Sequence, residues 1–273
     1  MTQTALITGT RSGIGLMLAR RLLFMGYTVF GMSRATTTEL PEDLSANPNY
    51  HHYSCDLSDF DALDQTINRL LSEQVSQAAP DARSGGRIDV AFLNAGQFCD
   101  ALRRTSDTPM DELLSLQRLN CFANKVILDA IFQRGIALPL CAVSSSIAGQ
   151  RMRAGNGGYA LSKATLNALM GLYALEHPQS FFAVIGLCVV DTFLSNKIGT
   201  LPLPDDPVFA AQAALRKRAV TDGYAVTAAA RADHLISLLL PQPDPRITSG
   251  QFIEIRALLT QDAAPVSPPQ TVN

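Results

Sequence analysis

Residues 8–15 read TGTRSGIG, and they join an apolar, strand-like segment at 4–8 to a segment at 14–25 whose apolar residues recur at helical spacing. Gly9, Gly13 and Gly15 therefore stand where a strand must turn sharply into the N-terminus of a helix. A helix N-terminus presents unpaired N–H groups and a partial positive charge, and residues without a Cβ let a pyrophosphate approach that backbone closely. The stretch predicts an anion-binding turn.

The spacing of these glycines does not by itself establish a nucleotide site. It is GxxxGxG, which differs from the GxGxxG fingerprint of other dinucleotide folds. An ordinary glycine-rich connection between a strand and a helix would use the same residues. Binding is favoured because the turn follows the first strand of what the next segments predict to be a βαβ unit.

Short apolar runs of β-forming residues alternate along the chain with longer amphipathic stretches. This alternation is typical of βα units that build an α/β fold, a parallel sheet with helices on both faces. We predict helices at residues 14–25, 60–71, 110–132 and 159–175. We predict strands at residues 4–8, 27–33, 50–55, 88–94, 138–145, 181–189 and 250–255, which together suit one seven-stranded sheet.

The organisation of the chain predicts one domain over residues 1–262. A chain of 273 residues with 47% hydrophobic content can bury one large core, although two domains are an alternative. Segments 72–86 and 195–207 contain glycine or several prolines and are predicted loops. Segment 263–273 contains three prolines and few large apolar residues, and this composition predicts a flexible tail.

Composition excludes several classes of partner and site. The net charge of −2, from 22 basic and 24 acidic residues, gives no field that favours nucleic acid or an anionic membrane. No apolar run reaches the length of a membrane span and no leader pattern follows Met1, so we expect a cytoplasmic protein. The five cysteines and four histidines are scattered, and their spacing predicts neither a disulfide framework nor a metal site.

Two further motifs give the chain a family resemblance. Asn94-Ala95-Gly96 follows the fourth predicted strand, and Tyr159-Ala160-Leu161-Ser162-Lys163 opens the helix predicted at 159–175. With TGTRSGIG, this ordered set resembles the short-chain dehydrogenases/reductases over residues 3–192. The resemblance implies a Rossmann-type, doubly wound sheet and an oxidoreductase that transfers hydride between a nicotinamide cofactor and a carbonyl or alcohol.

The candidate catalytic residues are Asn120, Ser146, Tyr159 and Lys163. Carbonyl reduction needs an acid beside the oxygen, and a tyrosine, with an ordinary pKa of about 10, needs a nearby ammonium to lower its pKa. Tyr159 and Lys163 are four residues apart, which on a helix places them on one face. The resemblance implies that Ser146, 13 residues before Tyr159, orients the substrate oxygen. It also implies that Asn120 holds a water linked to the lysine; a satisfied core amide is the alternative.

The end of the second strand predicts NADP(H) rather than NAD(H). An acidic residue there usually holds the ribose of NAD, whereas this chain has Ser33 and then Arg34. A guanidinium can pair with the 2′-phosphate of NADP, and Arg11 is a second candidate for that contact. The alternative is that both arginines are solvated surface residues. These residues, together with those that the resemblance implies, give the predicted cofactor contacts Gly9, Arg11, Ser12, Gly13, Ile14, Ser33, Arg34, Asp56, Leu57, Asn94, Ala95, Gly96, Tyr159, Lys163, Val190 and Thr192.

The chain departs from the family pattern after the sixth strand. A Pro-Gly step usually precedes the threonine that contacts the nicotinamide, and here the sequence reads Leu187-Cys188-Val189-Val190-Asp191-Thr192. The last strand also lacks Asp-Gly-Gly, so the C-terminal interface of the expected homodimer or homotetramer differs. Segment 192–225 is the expected substrate lid, and its leucines and phenylalanines suggest an apolar substrate. Arg151 and Arg153 would instead suit a carboxylate or phosphate, or are solvated.

Three other functions fit the sequence less well. A catalytically idle, NADP-sensing or scaffold protein of the same fold commonly lacks the tyrosine or the lysine, and this chain has both. A nucleotide-sugar epimerase needs a longer C-terminal substrate domain than the residues after 192 provide. A Ser-His-Asp hydrolase is unsupported because no serine lies in a GxSxG motif.

Overall fold

A computed structural model describes residues 2–75, 86–221 and 223–260. The predicted tail at 263–273 and most of the predicted loop at 72–86 lie outside these residues. The start of that loop is not irregular, because Leu71–Val75 forms a π-helical turn.

The strands of the described segments build one large sheet and one small one. They are β1 (Thr4–Thr8), β2 (Thr28–Ser33), β3 (Tyr50–Ser54), β4 (Val90–Leu93), β5 (Leu140–Ser145), β6 (Phe181–Gly186), β7 (Val190–Asp191), β8 (Val226–Thr227) and β9 (Phe252–Glu254). The large sheet has the order β3-β2-β1-β4-β5-β6-β9, with every pair of neighbours parallel. The predicted seven-stranded parallel sheet is confirmed, and the order reverses direction at β1, as in doubly wound folds.

The helices follow the strands in the expected alternation. They are α1 (Gly13–Phe24), α2 (Glu42–Ser45), α3 (Phe60–Leu70), α4 (Met110–Gln117), α5 (Ala123–Gln133), α6 (Gly157–Glu176), α7 (Phe193–Thr200), α8 (Ala210–Ala219), α9 (Ala228–Leu239) and α10 (Ile255–Leu259). The helix predicted at 110–132 is divided, because a π-helical turn at Arg118–Phe122 separates α4 from α5.

Two predictions about the segment after β5 are wrong. The predicted strand at 181–189 ends at Gly186, and Val190–Asp191 instead pairs with Val226–Thr227 in the small sheet. The predicted loop at 195–207 begins as helix α7. The Thr192 hydroxyl caps this helix by accepting a hydrogen bond from the Ser195 N–H, and the prolines of the segment all follow its last residue, Thr200.

Each face of the large sheet carries its own apolar core. Along β1, Leu6 packs with side chains of α3, α5 and α6, while Ala5 and Ile7 pack with those of α1 and α9. This alternation follows from the two-residue period of a strand, and helices therefore cover both faces as predicted. The carboxyl ends of β1, β2, β4 and β5 meet at one edge of the sheet, which is where parallel α/β sheets bind ligands.

In the described part of the chain, no helix combines the length and the apolar character that crossing a membrane requires.

We expect Phe182→Ala to lower the free energy of unfolding by about 3–5 kcal/mol, the usual cost of emptying a buried phenylalanine site. Phe182 is fully buried on β6, and its ring packs against those of Phe132 and Tyr173. Urea unfolding measures the change. Phe24→Ala is the control, since Phe24 is 91% exposed. Equal losses in the two variants would contradict the assignment of Phe182 to the core.

Candidate active site

A cleft of about 340 Å³ opens at the carboxyl edge of the sheet. Every residue predicted from the sequence to contact the cofactor lines this cleft, from Gly9 in the first turn to Thr192 at the start of α7. Ser146, Tyr159 and Lys163 line it as well. Asn120, the fourth candidate catalytic residue, lies behind the cleft wall and is completely buried.

The glycine turn has the geometry that an anion cradle needs. Gly9 and Gly13 have φ values of 80° and 59°, in the left-handed region that favours glycine. A Cβ on Gly15 would lie 2.3 Å from the carbonyl oxygen of Gly9, so only glycine lets the turn close. Ser12, which precedes α1, makes no side-chain capping bond. The first N–H groups of α1 are therefore not satisfied by a cap, and the turn fits a pyrophosphate.

The far end of the cleft carries the residues that bear on the choice of cofactor. Ser33 ends β2, is buried, and accepts a hydrogen bond from the Ala35 N–H at 3.3 Å. Arg34 and Arg11 are exposed and line the same end. Asp56 accepts bonds from the N–H and hydroxyl of Ser58, at 2.9 and 2.7 Å. This end thus presents two guanidinium groups to the cleft, with a serine at the end of β2.

Hydrogen bonds across three strands hold the floor of the cleft. The Thr8 hydroxyl on β1 accepts from the N–H groups of Asn94 and Ala95, both at 3.0 Å, just after β4. The Asn94 side-chain oxygen accepts from the Ser144 hydroxyl on β5 at 3.0 Å. The carboxyl ends of β1, β4 and β5 are therefore tied together beneath the glycine turn.

A close contact between the end of β5 and α6 brings Ser146 to Tyr159. A Cβ on Gly149 would lie 2.7 Å from the carbonyl carbon of Lys163, so glycine is required for the turn Ile147–Gly149 to rest on the helix. Ser146 caps that turn by accepting from the Ala148 N–H at 3.2 Å. The Tyr159 ring packs against Phe98, with 4.9 Å between ring centroids.

Burial controls the protonation of both Tyr159 and Lys163. It raises the pKa of Tyr159 to about 12, although hydrogen bonding with the Ser146 side chain opposes part of the rise. This direction is opposite to the sequence-based expectation of a pKa lowered by the lysine. The Lys163 ammonium lies 5.7 Å from the centroid of the Tyr159 ring and donates to the Ser144 carbonyl at 2.8 Å. Burial lowers the pKa of Lys163 to about 8.

Asn120 lies in the π-helical turn between α4 and α5, where its side chain is fully bonded. Its oxygen accepts from the Gln97 N–H at 2.8 Å, and its nitrogen donates to the Gln97 carbonyl at 3.0 Å and to the Ser162 hydroxyl at 2.9 Å. These bonds tie the loop after β4 to α6 beside Lys163. The side chain therefore has the environment of a satisfied core amide, the alternative that the sequence left open.

Cys188 occupies the segment in which a Pro-Gly step was expected. Its φ is 61°, the left-handed region that non-glycine residues rarely adopt. The thiol donates to a carboxylate oxygen of Glu254 at 3.2 Å. The turn toward Val190 and Thr192 thus takes a glycine-like backbone conformation without glycine, and both residues line the cleft.

A second cavity, of about 350 Å³, adjoins the cleft. Two of the candidate catalytic residues, Ser146 and Tyr159, stand in the wall between the two spaces, because they line both, as do Cys188, Leu194 and Ser195. Helices α8 and α10 contribute residues to this cavity that the sequence does not predict, including Gln212, Arg218 and Arg256. No motif marks these positions, and α10 lies outside the expected lid at 192–225.

The buried charge of Lys163 makes a testable contribution to stability. Its pKa falls from 10.5 to about 8 in the folded protein, so the unfolded chain binds this proton more tightly. Stability contributed by Lys163 therefore increases as pH rises from about 8 to 10.5. Over that window we expect the unfolding free energy of wild type to rise, relative to that of Lys163→Met, by on the order of 3 kcal/mol.

Urea unfolding between pH 7 and pH 10.5 measures this difference. Lys217→Met is the control, because Lys217 is exposed on α8. A wild-type to Lys163→Met difference that stays constant with pH would contradict a charged, buried lysine.

Comparisons with known proteins agree with this geometry. A family model described as short chain dehydrogenase matches residues 3–200. The short chain dehydrogenase prhI of Penicillium brasilianum is 34% identical over 108 residues, 40% of this chain. That match spans only 36% of the length of the relative.

Solved structures with low sequence identity share the fold. The KRED1-Pglu enzyme has a TM-score of 0.72 at 19% identity, over 92% of this chain and 100% of its own. An alcohol dehydrogenase from the archaeon Thermococcus sibiricus, in complex with 5-hydroxy-NADP, has a TM-score of 0.68 at 20% identity. The latter match covers 97% of this chain and 100% of the other.

Proposed function

Because this chain belongs to the short-chain dehydrogenase family, a family of oxidoreductases, we propose that it interconverts a carbonyl and an alcohol with NADP(H). The observation that carries the proposal is the position of Tyr159 and Ser146 in the wall between the cleft and the second cavity, with Lys163 beside them. A substrate in the second cavity and a nicotinamide in the cleft would both reach this wall.

The chain's own residues divide the work of holding the cofactor. The glycine turn and the N-terminus of α1 would hold the pyrophosphate, and Lys163, with Val190 and Thr192, would hold the nicotinamide end. When bound, NADPH supplies the hydride that the carbonyl carbon accepts. Leu57 and Asp56 line the opposite end of the cleft, where the adenosine would lie.

Tyr159 is the proposed general acid. As the carbonyl carbon gains a hydride, the oxygen gains the Tyr159 hydroxyl proton, while Ser146 donates a hydrogen bond that keeps the oxygen in place. With pKa values of about 12 for Tyr159 and about 8 for Lys163, both groups hold their protons at pH 7. The neutral tyrosine is then ready to donate, and the lysine ammonium stabilises the phenolate that forms. The reverse reaction returns the proton to Tyr159.

We propose that Asn120 is a positioning residue in this reaction. Its bonds to Gln97 and Ser162 fix the loop after β4 against α6, the helix of Tyr159 and Lys163. A Cβ on Gly96, in the same loop, would lie only 3.2 Å from the Asn120 side-chain oxygen, so the loop packs tightly on this amide. The wall of the cleft beside Lys163 therefore depends on this amide.

Two features support NADP(H) over NAD(H). Arg34 and Arg11 face the end of the cleft where the 2′-phosphate would lie, and Ser33 leaves no carboxylate at the end of β2 to repel it. The alcohol dehydrogenase of Thermococcus sibiricus, which shares the fold, is itself complexed with an NADP derivative.

We propose a homodimer or homotetramer that pairs through α4 and α6. Both helices expose large apolar side chains, among them Leu114 and Leu172, each 54% exposed, and Leu175, 80% exposed. The two helices pack against each other, and exposed apolar side chains on adjoining helices are typical of interaction sites.

Tyr159→Phe removes the proton donor and leaves the ring that packs on Phe98. We expect NADPH-dependent reduction of a carbonyl panel to fall by at least 100-fold, the scale of general acid catalysis, with NADPH affinity changed less than threefold. NADPH absorbance follows turnover and fluorescence titration follows binding. Wild-type activity in the variant would refute the role of Tyr159. NADPH binding without turnover of any carbonyl by the wild type would instead favour the catalytically idle alternative.

Arg34→Ala tests the choice of cofactor. Loss of a charge-assisted bond to the 2′-phosphate should weaken NADPH binding about 10- to 100-fold and leave NADH binding nearly unchanged. Arg20→Ala is the matched control, because Arg20 lies on α1, pairs with Asp43 and does not line the cleft. Equal losses of NADPH and NADH affinity in Arg34→Ala would contradict the 2′-phosphate contact.

A further inference from the structure

Four arginines line the second cavity. Arg151 and Arg153 come from the loop before α6, Arg218 from the last turn of α8 and Arg256 from α10. These segments are distant in sequence and converge only in the fold. Among the described residues that line this cavity, none is acidic.

One nearby carboxylate, that of Glu254, interacts electrostatically with Arg151, Arg153 and Arg256. Arg256 is paired with the Glu254 carboxylate. In the described segments, Arg151, Arg153 and Arg218 form no ion pair. Burial, and then the charges of Arg151 and Arg218, lower the pKa of Arg153. Three like charges facing one space repel each other, and an anion among them would convert that repulsion into attraction.

Two buried amides beside the arginines have unpaired polar atoms. Gln212 on α8 is 1% exposed, and within the described structure neither its side-chain oxygen nor its nitrogen has a hydrogen-bond partner. Asn156 is 4% exposed, and its side-chain oxygen is likewise unpaired there. Burying a polar group without a partner costs about 1–3 kcal/mol, so such groups beside a cavity are suited to bond a ligand or a water bound there.

The apolar residues of the expected lid are mostly used elsewhere. Leu201 and Leu203 pack on the small core cluster that contains Phe98 and Leu102, and Phe209 is buried. Phe193 is 84% exposed. Of the leucines and phenylalanines of the lid, Leu194 and Leu215 line the second cavity, beside Ile198 and Tyr224. The lid therefore lines this cavity with both apolar side chains and the polar Gln212 and Arg218.

From this arrangement we propose that the second cavity binds an anionic oxygen group of the substrate, a carboxylate or a phosphate, between Arg153, Arg218 and Arg151. Gln212 and Asn156 would bond to polar groups on the same molecule. The enzyme would then act on small acidic oxo or hydroxy compounds, with the reacting carbon at Tyr159 and Ser146. A cavity of about 350 Å³ suits a ligand of this size. The inference rests on the proposed function, because it assigns the substrate class of the same site.

Matched probe pairs separate charge from carbonyl reactivity. Levulinate is compared with methyl levulinate, and dihydroxyacetone phosphate with dihydroxyacetone, by NADPH absorbance on the full-length protein. We expect kcat/KM to favour the anion of at least one pair by tenfold or more. The pair in which the anion reacts faster shows whether the anionic group of the substrate is a carboxylate or a phosphate. A neutral probe that reacts as well as its anion in both pairs would overturn the proposal.

Substitutions locate the anion within the cavity. Arg218→Gln and Arg153→Gln should each lower the anion-to-neutral ratio of kcat/KM about tenfold, the usual effect of losing a charge-assisted bond. Lys217→Gln is the control, since Lys217 is exposed, adjoins Arg218 on α8 and does not line the cavity. Because Arg218 is exposed at the end of a helix, its substitution should leave the fold intact. An unchanged ratio in both arginine variants would overturn the proposal.

A binding measurement keeps this inference distinct from the proposed function. Calorimetry with levulinate and with glycerol 3-phosphate is carried out on protein saturated with NADP⁺, which occupies the anion sites of the cleft. If no carbonyl is reduced, the proposed function fails. In that case, anion binding that weakens about tenfold in Arg218→Gln but not in Lys217→Gln still supports the anion site, and absence of binding overturns it.

Discussion

The junction between the end of β5 and helix α6 is the constraint on which the rest of the site depends. Gly149 rests against the backbone of Lys163, and the Lys163 ammonium donates to the carbonyl of Ser144 at 2.8 Å. One contact requires the absence of a side chain, and the other places a positive charge inside the protein. Together they fix Ser146, Tyr159 and Lys163 relative to one another, because all three lie within a few residues of the junction.

This junction has an energetic cost that the surrounding strands offset. A buried ammonium loses its hydration, and one carbonyl acceptor restores only part of it. The bonds from Thr8 to the loop after β4, and from Ser144 to Asn94, hold the sheet edge rigid around that charge. In the proposed reaction, the ammonium held there would stabilise the phenolate formed at Tyr159.

The sequence predicted the sheet because period and composition are local properties. The strands and most helices follow from apolar runs of the right length, and the residues of the cleft follow from motifs at the ends of strands. The pKa of Tyr159 could not be predicted, because it depends on burial by Phe98 and neighbouring side chains from other segments. Helix α7 is not predicted because Gly199 and the three prolines of segment 195–207 favour a loop, whereas those prolines all follow the last residue of the helix, Thr200.

The second cavity shows a different limit of what the sequence can predict. Arg151 and Arg153 were noticed in the sequence, with a carboxylate or phosphate contact and solvation as the alternatives. The observation that bears on these two alternatives is the approach of Arg218 and Arg256, which lie about 65 and 105 residues further along the chain. No spacing rule links such positions, since α8 and α10 reach this cavity through tertiary packing. Charge convergence of this kind is visible only once the chain is folded.

The left-handed backbone of Cys188 has one more consequence. Its thiol is bonded to Glu254, and Glu254 also holds Arg256, which lines the second cavity. The same backbone leads directly to Val190 and Thr192 in the cleft. Three side chains thus join the two chambers, and a molecule that drew Arg256 away from Glu254 would remove one restraint on the cleft wall. Any resulting coupling between the two chambers would be reciprocal, with each ligand altering the affinity for the other by the same factor.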